Sequence, residues 1–104
     1  MTATSASPAI EWLDTNESAS IERLLEWLRM PSVGTDPAHN EDTARAAQWA
    51  AEHLSASGFA VELKPTGTKA KPGHPIVLAH CDGAEDYNGP HVLFYGHYDV
   101  QPAD

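Results

Sequence analysis

Apolar residues recur at helical spacing along the first third of the chain. Ile21, Leu24, Leu25 and Leu28 stand at i, i+3, i+4 and i+7, which predicts a helix over residues 18–29 with one apolar face. Ile10 and Leu13 extend the pattern back toward Pro8. Thr15, Asn16, Ser18 and Ser20 are poor helix-interior residues, so the start falls either at Pro8 or near Ser18. Pro31 ends the helix, because the residue before a proline is driven out of the helical region. Residues 32–40 form a polar loop containing Gly34, Asp36 and Pro37. A second helix is expected over 41–57, with Ala44, Ala47, Ala51 and Leu54 along one face. Side chains that small allow close packing on a sheet, and Gly58 is placed as the left-handed cap.

Beyond Gly58 the period shortens. Residues 59–64 alternate apolar and polar positions, as a half-buried strand does. The stretch 66–75 is a Gly- and Pro-containing loop, a second strand is expected over 76–81, and 82–90 is polar turn. Val92, Leu93, Phe94 and Tyr95 form a continuous apolar run, which predicts a third strand over 91–95 covered on both faces. The order helix, helix, strand, strand, strand is part of a layered α/β sheet, with no helix after the last strand to cover it. Residues 1–8 are expected to be a flexible tail and 9–104 a single unit.

Composition narrows the function classes. With 15 acidic residues against 6 Lys plus Arg, the net charge of -9 argues against nucleic acid or an anionic membrane as partner. No stretch approaches the ~20 apolar residues of a membrane span, and the N-terminus lacks the basic and apolar regions of a secretory signal. The cytoplasm is the expected location. Cys81 is the single cysteine, which excludes an internal disulfide. At the end of an apolar run, it is expected to be a buried, inert thiol rather than a nucleophile.

Candidate chemistry is concentrated in Leu93-Phe94-Tyr95-Gly96-His97-Tyr98-Asp99-Val100-Gln101-Pro102. His97 and Asp99 follow the apolar run, at the kind of strand end where α/β sheets gather ligands. In extended backbone, residues two apart point to the same side, so the imidazole and the carboxylate share a face. A neutral imidazole is a good zinc ligand, and a carboxylate beside it can orient it. On spacing alone, a polar strand end closed by Pro102 is the better reading, because a His-x-Asp pair arises by chance in many proteins.

The whole string resembles the metal-site signature of the zinc-dependent peptidase superfamily of carnosinase-like dipeptidases, carboxypeptidase G-type enzymes, aminoacylases and desuccinylases. Tyr98 and Val100-Gln101-Pro102 favour the dipeptidase branch. Leu28-Arg29-Met30-Pro31-Ser32-Val33 is similar to the turn after the family's first helix, with Gly34 where a serine is common. Ala46-Ala47-Gln48-Trp49, Leu54 and Gly58-Phe59 resemble its second helix and the turn that follows. The resemblance runs from about Ile10 to Asp104.

It implies the N-terminal part of a three-layer α/β/α, phosphorylase/hydrolase-like catalytic domain. It also implies hydrolysis of a peptide or amide bond by water activated between two zinc ions. By resemblance His97 is a metal ligand and Asp99 the catalytic-site aspartate that orients it. The substrate class implied is a small peptide or an acylated amino acid. The other ligands, the glutamate base and the lid domain through which these enzymes dimerise lie further along the family's chain, so the 104 residues alone are expected to be inactive. A non-catalytic interaction or assembly module built on the same fold is the alternative. His39, His53, His74, His80 and His91 are expected at the surface or in loops, Glu85 and Asp86 in a solvated turn, and Trp12, Trp27 and Trp49 in packing.

Overall fold

A computed structural model describes residues 6–103. The N-terminal apolar pattern resolves into two helices, α1 (Ser7–Thr15) and α2 (Glu17–Leu28). They break at Asn16, whose amide side chain donates to the Trp12 carbonyl at 2.8 Å. The polar cluster that left the helix start open is therefore the break between two helices. Of the expected tail, Ser7 and Pro8 lie in the first turn of α1, where proline's fixed φ and missing N–H suit a helix start; residues 1–5 lie outside the described residues.

The polar loop contains one 3-10 turn, Pro37–His39, capped by Asp36, whose carboxylate accepts from the Ala38 N–H at 2.9 Å. Helix α3 (Asn40–Ala56) follows directly. Its buried face is Thr43, Ala46, Ala47 and Ala51, whereas Ala44, expected on that face, is exposed. Thr43 is buried because its hydroxyl donates to the His39 carbonyl at 2.9 Å, so the small polar side chain enters the core satisfied. Gly58 follows the helix with φ 99, the left-handed cap expected of it.

Strands β1 (Ala60–Lys64) and β2 (Ile76–His80) pair antiparallel, from Ala60 opposite His80 to Lys64 opposite Ile76. Helix α3 packs on both strands. Val61, Leu63 and Val77 are half-buried, while Ile76 and Leu78 remain about half exposed. The fold is thus a mixed α/β unit in which a helix lies on a two-stranded sheet. Trp27 secures α2 to α3: its ring stacks on Trp49 with centroids 5.1 Å apart, and its indole N–H donates to the Ala46 carbonyl at 3.0 Å.

Two further expectations are corrected. Residues 91–95 form no strand, and Leu93 is 94% exposed. Apolar composition does not make a strand without a ladder partner, and among the described residues β2 has only β1 beside it. Cys81 is exposed rather than buried, because it lies just past the end of β2, where no element covers the chain.

Candidate functional site

Two segments far apart in sequence meet at residues 97–100. The first is the tight turn after α2, where the Ser32 N–H bonds the Met30 carbonyl and the Val33 N–H bonds the Pro31 carbonyl, both at 2.8 Å. Such bonds, reaching two residues back, fold Ser32 and Val33 inward, and both are buried. The Ser32 hydroxyl donates to the Tyr98 carbonyl at 2.9 Å, and the Ser32 carbonyl accepts from the Val100 N–H at 2.9 Å. Gly34 lies against Asp99: a Cβ at position 34 would stand 3.2 Å from both Cβ and Oδ2 of Asp99. That close approach is a physical reason for glycine here.

The loop before β2 supplies the second support. His74 Nε2 donates to the Gly34 carbonyl at 2.7 Å, and the Tyr98 hydroxyl donates to the Pro75 carbonyl at 2.6 Å. Burial pushes the Tyr98 phenol above its usual range, and the neighbouring Asp99 carboxylate adds to the shift.

His97 and Asp99 are brought together as their spacing predicts. His97 Nδ1 lies 3.0 Å from Asp99 Oδ1 and 3.0 Å from the Asp99 carbonyl oxygen. Both neighbours are acceptors when the carboxylate is ionised, so Nδ1 is the protonated nitrogen and a neutral ring presents its lone pair at Nε2. The His97 side chain is 73% exposed. A ring nitrogen with a free lone pair, its partner nitrogen held by a carboxylate, is the arrangement of a zinc-binding histidine. The residues present therefore fit one corner of a zinc site. Among the described residues, no group of three His, Cys, Asp or Glu is placed to hold an ion.

Sequence reasoning missed Ser32, Gly34 and His74 as parts of this site. The resemblance marks the turn that contains Ser32 but not what the turn touches, and His74 reads as a loop histidine. His53 is also more than a surface residue: it stacks on Trp49 with centroids 3.6 Å apart. His80, at the exposed end of β2, pairs with Asp82 at 2.6 Å. Trp27 and Trp49 are packing residues as expected, while Trp12 is half exposed with the Arg23 guanidinium 5.9 Å from its ring centroid.

No family model matches the chain. A Cys-Gly metallodipeptidase of Candida albicans is 33% identical over 92% of this chain and 21% of its own length. A Beta-Ala-His dipeptidase of Rattus norvegicus is 30% identical over 89% of this chain and 20% of its own. The solved structure of the di-peptidase Dug1p from Saccharomyces cerevisiae superposes with a TM-score of 0.81 at 26% identity, covering 95% of this chain and 22% of that one. The chain thus spans about a fifth of the length of the curated relatives it matches.

Proposed function

Because this chain is related to the metallodipeptidases along nearly its whole length, we propose that it is the part of a zinc-dependent dipeptidase that supplies one metal ligand. The ligand is His97, through Nε2, and Asp99 is the catalytic-site carboxylate that fixes its tautomer and direction. The observation that carries this reading is the pair of 3.0 Å contacts from His97 Nδ1 to acceptors of Asp99. When bound, zinc would polarise a scissile carbonyl and lower the pKa of an attacking water. The chain's own contribution is to present one imidazole nitrogen, keep a negative charge behind it, and hold both on a pinned backbone.

A zinc site takes three or four protein ligands. One histidine with an orienting aspartate does not meet that number, so the 104 residues alone should neither hold zinc tightly nor turn over substrate. The remaining ligands, the general base and any dimer-forming domain come from chain corresponding to the rest of the relatives. Substrates are small peptides, with Cys-Gly and Beta-Ala-His the first to test because the relatives' names specify them. The net charge of -9 disfavours nucleic acid and anionic membrane as partners. Among the described residues, no helix is long and apolar enough to cross a membrane.

The test is a chimera in which these residues replace the matching fifth of the yeast di-peptidase. Zinc content and hydrolysis of both dipeptides are measured on the chimera and on the 104-residue chain. The expected result is a zinc-loaded, active chimera and an inactive chain. A folded chimera that neither holds zinc nor cleaves either dipeptide would sink the proposal.

A further inference from the structure

We infer that Ser32 is a positioning residue: it grips the backbone on both sides of Asp99 and thereby sets the direction in which His97 presents Nε2. Ser32 can have this role only if His97 and Asp99 act as proposed above. Its hydroxyl reaches the Tyr98 carbonyl, which belongs to the peptide group entering Asp99, and its carbonyl reaches the Val100 N–H, which belongs to the peptide group leaving it. Two bonds of 2.9 Å from one residue thus tether both peptide planes around Asp99. The Asp99 carboxylate in turn accepts from His97 Nδ1. The line of control runs from Ser32 through the Asp99 backbone and carboxylate to the imidazole.

Three features make Ser32 the point on which this depends. It is 2% exposed, so its hydroxyl has no competing water, and losing it leaves the carbonyl of the half-buried Tyr98 without its partner. Val92 to Tyr95, which precede His97, have no ladder partners among the described residues and are largely exposed, so no described sheet upstream holds the His97 backbone. The core contacts of α2 with α3, through Trp27, Trp49 and Ala46, do not involve Ser32. Its two long-range bonds, across 66 and 68 residues of sequence, both go to residues 98–100.

The experiment compares Ser32→Ala, Ser32→Cys and Ser32→Thr in the 104-residue chain and in the chimera. Amide exchange at Val100 is followed by NMR in the chain and by mass spectrometry in the chimera. The ring nitrogen shifts of His97 report which nitrogen carries the proton. Ser32→Ala should speed Val100 exchange about 2–10-fold, the range set by one lost hydrogen bond. It should also move His97 from the Nδ1-protonated form toward a mixture. In the chimera kcat should fall about tenfold or more with KM little changed, since substrate contacts are untouched. Ser32→Cys keeps the volume with only a weak donor and should behave like Ser32→Ala; it replaces that variant where the alanine form does not fold. Ser32→Thr retains the hydroxyl and should restore both the exchange rate and kcat. Wild-type exchange, ring shifts and kcat in a folded Ser32→Ala or Ser32→Cys protein would overturn the role of Ser32. An inactive chimera with Ser32 intact would instead overturn the dipeptidase reading.

Discussion

Asp99 accepts the His97 Nδ1 proton at 3.0 Å while Gly34 crowds its other face, so its carboxylate sits between an imidazole and a backbone turn. That placement separates what the two residues contribute. In the chimera, His97→Ala deletes the proposed ligand and should remove most zinc from one site together with nearly all hydrolysis. Asp99→Asn keeps an oxygen that can still accept from Nδ1 but removes the charge, so much of the zinc should remain while turnover falls about 10–100-fold. Zinc stoichiometry beside dipeptide turnover distinguishes the two, and equal zinc loss in both variants would make Asp99 a ligand rather than an orienting group. His97 and Asp99 were legible in the sequence because they are neighbours within one string. Ser32 and His74 were not, because their partners lie 66 and 40 residues away, and only the folded chain shows which loop a buried serine faces.

Among the elements, α3 is the one on which the sheet is built, and local spacing indicated its limits to within a residue. The face it buries was read partly wrong. Ala44 was expected inside, yet Thr43 and Ala46 are fully buried, since a threonine that bonds its own helix can enter a core that a polar-residue rule would deny it. The first turn of α3 carries Glu41 and Asp42, acidic residues at the favourable end of the helix dipole. Hydrogen bonds from His39, then from Arg45, hold the Asp42 carboxyl below its ordinary value of 3.8. A carboxyl whose folded value is depressed stabilises the fold above its unfolded value and loses that contribution as the pH falls through the folded value. Asp42→Asn should therefore lower the melting temperature near neutral pH, and the difference from the wild type should shrink steadily as the pH falls below about 3.8. A gap that persists unchanged into strong acid would mean that Asp42 acts by packing or helix capping without its charge. The third expected strand failed for a different physical reason. Hydrophobic runs report which residues seek burial, whereas a strand also requires a neighbour to complete its ladder.

At the scale of the whole molecule, many of the large apolar side chains remain exposed. The radius of gyration is 16.8 Å, against about 13 Å for a compact domain of about 100 residues, and the extents are 54 × 32 × 19 Å. The helical stripe that the sequence displayed so plainly, Ile21, Leu24, Leu25 and Leu28, is between 38% and 53% exposed, and Phe94 and Tyr95 are 89% and 92% exposed. Amphipathic patterning was thus read correctly as a face, and the chain described here does not cover it. Exposed apolar side chains in these numbers drive association where they adjoin. The 104-residue chain, studied alone, should elute from size-exclusion columns at a position that shifts with concentration and should bind a hydrophobic dye. Replacing Leu93 and Phe94 together with aspartate removes two of the most exposed apolar side chains without touching α3, β1, β2 or the Ser32 contacts. That double variant should move the equilibrium toward monomer and reduce dye binding, with the Trp27–Trp49 stack and its near-ultraviolet signal preserved. A wild-type chain that stays monomeric at every concentration and binds no dye would show that these faces find cover within the chain itself.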